Sequence, residues 1–300
     1  MVWGLTPHKI HSLVGCSSVI EIYRQSGFSA PLYFFALRPP ELMENLLNYP
    51  WAFGFLLACI SALSLELGRR VGVSSQILQH SERKEQMVAI RDGLFVLLSL
   101  LLGFSLTLAA ARFVERRSLL IEESISIGTA YLRAGTLPQP YREHSRNLFQ
   151  QYVDARLDLD NAGLDTARAV QASNRSKSIY EELWTDAAAV AERKPTPITA
   201  AYINSLNETI DLHEKRIAAY ENRVPLIIWT LIICVSMIAV FARGLTLTSR
   251  FWLNLVLAPV TIAIVVALIA DLDSPSRGFI RLDQRAMQRL KADLTAQSAH

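Results

Sequence analysis

Charged residues are scarce in this sequence. They make up 19% of its 300 residues, whereas soluble domains contain about 25%. An excess of one sign is missing as well, because the formal net charge is only +3. No basic cluster alternates with aromatic residues in the way that nucleic-acid binding requires. The low net charge and the lack of a basic cluster argue against a nucleic-acid partner. The low share of charged residues indicates stretches of chain that carry no charge at all.

Cysteine is nearly absent too. The three cysteines are Cys16, Cys59 and Cys234, and none belongs to a CxxC pair. This excludes a disulfide framework and a cysteine-rich zinc site. Cys59 and Cys234 fall inside apolar runs, so we expect both to be free and buried, acting as small apolar residues.

Sequence motifs that carry chemistry are also missing. The chain contains no HExxH, no GxSxG with triad partners, no Walker motif and no dinucleotide-binding fingerprint. Glu122 and Glu123 are adjacent, so on a helix they point to different sides and cannot converge as a carboxylate pair. We therefore predict that the protein is not an enzyme and that it has no catalytic residue, no metal ligand and no cofactor.

The sequence does contain apolar runs of membrane-spanning length. Residues 94–111 include no charged side chain, and Arg112, Glu115, Arg116 and Arg117 follow at once. An uncharged run of about 18 residues is a candidate membrane span. The helical period continues past these charges, which predicts one continuous helix that leaves the bilayer and enters water.

Three further runs bring the predicted spans to four, at about 51–67, 94–111, 226–241 and 251–270. We therefore predict an all-α, multi-pass membrane protein with four transmembrane helices and a helical soluble segment between spans two and three. The predicted division is a first transmembrane pair at 43–111, a soluble segment at 112–224, a second transmembrane pair at 225–270 and a basic C-terminal tail at 271–300. Residues 1–42 show no clear period, and we predict a disordered tail or sequence that precedes a start at Met43.

Small residues recur every four positions along the first two spans. Residues four apart share a helix face, and small ones let two membrane helices approach closely. The predicted helix-packing residues are Gly54, Ala58 and Ala62 on the first span, with Ser99, Gly103 and Thr107 on the second.

A bulky apolar stripe follows another face of the second span, formed by Leu97, Leu101, Phe104 and Leu108. One interpretation is that this stripe meets lipid or the protein core. The other is that it faces a pore, where a hydrophobic constriction can gate by dewetting. The four residues are therefore pore-lining candidates.

The last helix of the predicted soluble segment carries a heptad seam, which requires a partner helix. Ile203, Ile210, Ile217 and Val224 repeat every seven residues, and His213 falls on the same seam. A buried, hydrogen-bonded histidine is one interpretation of His213, and a pH sensor is the other.

Basic residues mark the predicted orientation in the membrane. They flank the soluble segment and follow the last span, somewhat outnumbering those of the two connectors on the other side. The positive-inside rule then places the soluble segment and the C-terminus in the cytoplasm, with the spans in a cell's inner membrane.

Three segments carry a resemblance to a known family: LLLGFSLTLAAARFVERRSLLIEESISIGTAYLRAGTLPQPYR, QYVDARLDL and ALIADLDSPSRGFIRLDQ. They resemble the bestrophin-like domain proteins, a family of bacterial integral membrane proteins, over about residues 43–293. Bestrophins are pentameric anion channels with four spans, a cytosolic helical part and an apolar neck on the second span. The resemblance therefore implies a homo-oligomer that conducts small anions. No bestrophin motif matches residue by residue, so no pore or calcium-site residue is carried over.

Two functions follow from these observations. The first is a bestrophin-like channel in which a homo-oligomer in the lipid bilayer passes small anions along the second span. The second is a non-conducting membrane scaffold or signalling protein that binds a partner through its cytoplasmic helices.

Overall fold

The computed structural model describes residues 47–75, 81–163, 165–247, 252–274 and 278–298. Within these ranges the regular secondary structure is α-helical throughout, so the all-α prediction is confirmed. The tail predicted for residues 1–42 lies outside the described residues.

The helices, numbered in chain order, are α1 Pro50–Ser74, α2 Ser81–Ala134, α3 Tyr141–Asn161, α4 Thr166–Arg193, α5 Pro197–Glu221, α6 Leu226–Leu245, α7 Trp252–Asp273 and α8 Arg285–Ser298. Four helical stretches are long and apolar enough to cross a membrane, and their apolar windows fall in α1, α2, α6 and α7. Helices α3, α4 and α5 lie between the second and third of these, as predicted.

Helix α1 continues beyond the predicted span, which ends at about residue 67, and includes two glycines that follow it. A Cβ atom on Gly68 would collide with the carbonyl oxygen of Phe241, and one on Gly72 with that of Leu245. The glycines therefore let the α1 backbone lie directly against α6, which is the role of small residues between membrane helices. This contact extends α1 into the stretch where we expect a connector.

Helix α2 is one helix of 54 residues, about 80 Å long at a rise of 1.5 Å per residue. Its sequence contains no proline, and the polar stretch before residue 94 is its first part. The helix ends just before Pro138, which cannot continue it; the N–H of Leu137 bonds back to the Ala134 carbonyl at 3.1 Å. One uninterrupted element thus connects the membrane with the soluble segment.

The soluble segment has an apolar core to which five helices contribute. Its buried residues include Tyr131 of α2, Phe149 of α3, Leu183 of α4, Leu206 of α5 and Met287 of α8. Such burial contributes about 1.5–3 kcal/mol for each large apolar side chain. The core therefore holds the C-terminal half of α2 within a helical bundle.

Side-chain caps fix where two helices of the bundle begin. The Asp165 carboxylate accepts the N–H of Arg168 at the start of α4, at 3.0 Å. The Thr196 hydroxyl accepts the N–H of Thr199 at the start of α5, at 3.2 Å. Each cap satisfies a donor that the helix itself cannot.

The C-terminal stretch that we predict as a basic tail is a folded part of this bundle. Helix α8 packs on α2 and α3, with Met287 and Leu294 buried in the core. Its arginines Arg285 and Arg289 remain exposed. The basic stripe is therefore the solvated face of an amphipathic helix.

The heptad seam of α5 finds its partners within the chain. Helix α5 packs on α2 and α4, Ile203 and Ile210 pack against the core, and His213 is buried. The expectation that Cys59 and Cys234 are buried is wrong, although both are free: they are exposed because they lie on faces of α1 and α6 that no other described helix covers.

Candidate functional site

The membrane part of α2 buries one side and exposes the rest. Leu98, Leu102 and Ala109 form the buried side, which packs on α6 and α7. Of the pore-lining candidates, Leu97 is 51% exposed and Phe104 is 67% exposed, while Leu101 and Leu108 are partly buried. The predicted stripe of pore-lining candidates therefore lies at the edge of the apolar face of α2 that no other described helix covers.

The small residues predicted to pack helices have different positions on the two spans. A Cβ atom on Gly54 would come within 2.8 Å of the Ala267 Cβ atom and within 3.2 Å of the Ala263 carbonyl oxygen, so α1 lies close to α7 here. Ala58 and Ala62 are partly buried.

On α2 the small stripe points away from the other described helices. Ser99, Gly103 and Thr107 are exposed, and a Cβ atom on Gly103 would meet nothing within 4 Å. The Ser99 and Thr107 hydroxyls donate to carbonyls of their own helix, at 2.8 and 3.0 Å. Packing of this stripe against a second chain stays a prediction.

A buried ionic cluster holds α2 where it passes through the soluble segment. Glu123 of α2 and Arg156 of α3 are both buried, with 2.8 Å between Arg156 Nε and Glu123 Oε1. Arg156 Nη2 donates to Glu123 Oε2 at 3.1 Å, and Arg216 Nη1 of α5 donates to the same oxygen. One carboxylate thus joins three helices.

Asp160 completes the charge balance of this cluster. Arg216 Nη2 lies 2.6 Å from both Asp160 oxygens, so two carboxylates face two guanidinium groups. Burial alone raises the pKa of Glu123, but the Arg156 and Arg216 charges outweigh it and hold that pKa below its usual value. Because α2 beyond residue 111 is rich in charged side chains, this region lies outside the hydrocarbon.

Two further polar groups complete the hydrogen bonding around Glu123. The Tyr152 hydroxyl donates to Glu123 Oε1 at 3.2 Å and lies 2.9 Å from His213 Nδ1. Burial, and then the charge of Arg156, lower the pKa of His213 to about 4, so the imidazole is neutral at pH 7. Its Nδ1–H can then donate to the tyrosine oxygen, which makes this histidine a neutral member of the cluster at that pH.

Arg116 of α2 ties this helix to the ends of α5 and α7. Arg116 is buried; its Nη2 donates to the Asp273 carbonyl at 3.0 Å and its Nε to the Ala219 carbonyl at 3.2 Å. The Asp273 carboxylate in turn accepts the N–H of Val224 at 2.9 Å. These bonds satisfy carbonyls at helix ends, which have no partner within their own helix.

The ionic cluster was not predicted from the sequence. Glu122 and Glu123 point to different sides of α2, as predicted, but the arginines that pair with Glu123 lie 33 and 93 residues further along the chain. One signal was available: Glu123 falls between Leu120 and Ile127 on the apolar face of α2. A charge at a core position requires a partner.

The chain is similar to a known protein family and to solved structures. The family model described as the bestrophin-like domain matches residues 76–287. Among solved structures, a bacterial bestrophin homologue from Klebsiella pneumoniae matches with a TM-score of 0.61 and 15% identity, covering 82% of this chain and 98% of that one. A second structure of such a homologue, carrying a mutation, matches with a TM-score of 0.57, the same identity and the same coverage. A search of curated proteins finds no match to the chain.

Proposed function

The chain belongs to the bestrophin-like domain family, and from that premise we propose that it forms an oligomeric membrane channel for small anions. Bestrophins are generally channels rather than enzymes. The conduction path in this proposal follows the exposed apolar face of α2, with Leu97, Leu101, Phe104 and Leu108 along it. The observation that carries the proposal is the exposure of Leu97 and Phe104 on the second span of a bestrophin-like fold.

A path along this face requires more than one chain. The other described helices cover only one side of α2 in the membrane, so further copies must surround the exposed side. The same helix continues the apolar exposure into the soluble segment, where Ile121, Ile125 and Leu132 are 39%, 63% and 58% exposed. Large apolar side chains in a row on a soluble surface typically mark a protein contact. We infer that copies of the chain meet along this part of α2 in the soluble segment.

Halide efflux from liposomes that hold the purified protein tests the proposal. The variant is Phe104→Ala, and the matched control is Phe55→Ala, a phenylalanine on α1 that is 74% exposed. We expect wild-type efflux, a changed rate for Phe104→Ala and an unchanged rate for Phe55→Ala. Removing a bulky apolar side chain from a constriction lowers its dewetting barrier.

Three other outcomes would contradict part or all of this proposal. Efflux that neither substitution changes keeps the channel but rejects this pore face. No efflux from folded protein across pH and calcium concentration rejects the channel. A monomer or simple dimer in detergent also contradicts it, because a pore between chains requires a ring of about three or more subunits.

The second candidate is a membrane scaffold or signalling protein that conducts nothing and binds a partner through its cytoplasmic helices. The observation that favours it is the apolar exposure of Ile121, Ile125 and Leu132 outside the membrane, which a different protein could cover. A folded monomer without efflux would support this function.

The proposed orientation has the soluble segment and the C-terminus in the cytoplasm of a bacterial cell, with the spans in the inner membrane. The basic residues around the soluble segment support it. Labelling of intact cells with a membrane-impermeant thiol reagent tests it, using Ser178→Cys on exposed α4. We expect labelling only after the membrane is opened, and labelling of intact cells reverses the orientation.

A further inference from the structure

A cavity of about 690 Å³ opens in the soluble segment beside the ionic cluster. Its walls come from α3, α4, α5 and the residues around the start of α8. Sites for small molecules usually enclose about 300–1,000 Å³ and combine apolar walls with a few polar groups. This cavity therefore has the size of a ligand site. Its lining residues begin at Arg156, whereas the proposed pore face is formed by residues 97–108.

The polar group that distinguishes this cavity is Arg156, which forms part of its wall while its side chain is only 1% exposed. Its Nε and Nη2 atoms face Glu123. Its Nη1 atom is buried and has no hydrogen-bond partner among the described residues. Buried donors in proteins almost always have a partner, so this N–H is the donor of Arg156 that an acceptor at the cavity wall would satisfy.

The remaining walls indicate what that acceptor is. Arg281 supplies a second positive charge, Ser173 and Gln288 supply further polar atoms, and Val170 and Ile217 supply apolar surface. Arginine binds planar carboxylates especially well, because its N–H groups match the two carboxylate oxygens. The wall thus combines two guanidinium groups with apolar surface.

Acidic residues limit the charge that such a ligand can carry. Asp160 lines the cavity but is paired with Arg216. Glu221 and Asp283 are exposed at its rim, and Asp283 pairs with Arg285 at 2.8 Å. The two exposed carboxylates, Glu221 and Asp283, disfavour a polyanion such as phosphate, whereas a monoanion needs only the one positive charge that Arg281 supplies.

We propose that this cavity binds a small organic monocarboxylate with an apolar body, whose carboxylate accepts hydrogen bonds from Arg156 Nη1 and Arg281. The apolar body lies against Val170 and Ile217. The site is independent of the channel proposal, since its test measures binding and not conduction.

Equilibrium dialysis of the full-length protein in detergent against radiolabelled benzoate tests the proposal, with butyrate and octanoate as competitors. Uncharged benzamide and inorganic phosphate serve as comparison ligands. Arg156→Lys is the direct variant, but its folding depends on the Glu123 pair. The decisive variants are therefore Arg281→Gln, which removes the accessible cation, and Ser173→Trp, which fills the cavity. Arg289→Gln is the matched control, because this exposed arginine does not line the cavity.

We expect saturable binding of benzoate or of a competing monocarboxylate to the wild type and to Arg289→Gln. Arg281→Gln should weaken it roughly tenfold, the effect of losing one charge-assisted hydrogen bond, and Ser173→Trp should abolish it, with circular dichroism showing that both variants are folded. The proposal is overturned if none of the three carboxylates binds at millimolar concentration, if benzamide or phosphate binds equally well, or if Arg281→Gln and Ser173→Trp leave binding unchanged.

Discussion

The two halves of α2 are held in the protein by different physical means. In the membrane its buried side is Leu98, Leu102 and Ala109, and a polar residue such as Ser105 bonds only to its own helix, at 2.8 Å. In the soluble segment, Glu123 forms ion pairs with arginines of two other helices. Apolar contact is non-directional, whereas charge-assisted hydrogen bonds fix distance and angle.

The difference indicates where the helix can move. The soluble half is fixed in rotation and height, because shifting α2 by one residue would take Glu123 away from both arginines. The membrane half, held by apolar contacts, can tilt against α6 and α7 while it exchanges one apolar contact for another. Four substitutions test this contrast, from the largest expected effect to the smallest.

Glu123→Gln should have the largest effect. The substitution leaves Arg156 and Arg216 buried without the carboxylate that they share, and breaking a buried ion pair in this way typically costs about 3–5 kcal/mol. Thermal unfolding in detergent, followed by circular dichroism, measures the loss. Glu122→Gln is the control: that residue is exposed and, among the described residues, bonds only to Ser118, so its change should stay within about 0.5 kcal/mol. Equal losses of stability from Glu123→Gln and Glu122→Gln would contradict the role that the ionic cluster has in holding the soluble half of α2.

Gly68→Leu tests the close contact of membrane helices. A side chain here must push the Phe241 carbonyl away, and overpacking of this kind costs about 1–3 kcal/mol. The same unfolding measurement applies, and we expect the upper end of that range because backbone must shift. A stable Gly68→Leu protein would show that α1 and α6 are further apart than described.

His213 should make the soluble half sensitive to acid. Its pKa is about 4 in the folded protein, below about 6.5 for an unfolded chain. Because the unfolded state binds the proton more tightly, this stabilisation is complete above pH 6.5 and is lost as the pH falls towards 4. Between pH 7.5 and pH 5 the loss is about 2 kcal/mol. Denaturant unfolding at both values should show this loss for the wild type relative to His213→Gln, and parallel pH dependence would contradict it.

Gly103→Ala should have the smallest effect on the single chain. The site is open, and alanine is favoured over glycine within a helix by about 0.5–1 kcal/mol, so the substitution should stabilise α2 slightly. Cross-linking measures the oligomer in parallel. If the small stripe packs closely against another copy, the oligomer weakens even though the helix is stabilised. If the oligomer is unchanged, this face of α2 contacts lipid or open space and not another copy of the chain.

The sequence was sufficient for the architecture of the membrane part. An uncharged run such as 94–111 has few alternatives to a membrane span, and proline and glycine mark the ends of the soluble helices. The sequence was not sufficient to say which faces meet. Periodicity shows that Ser99, Gly103 and Thr107 share a face, but not that the other described helices pack on a different one.

The ionic cluster was out of reach for a related reason. Glu123 is recognisable as a charge on an apolar face, but its partners on α3 and α5 are specified only by the three-dimensional packing of the bundle. Helix α8 shows the same limitation, because its basic face is evident in the sequence while Met287 and Leu294 become core residues only once α2 and α3 are in place.

The length of α2 makes it a mechanical lever with its pivot in the soluble bundle. Glu123 and Phe104 are 19 residues apart on one continuous helix, about 28 Å along its axis. A tilt of about 5° at the pivot moves the far point sideways by about 2.5 Å, more than half of a van der Waals contact distance of about 3.5–4 Å. Small forces on the bundle are thereby converted into displacements in the bilayer of the size of a side chain.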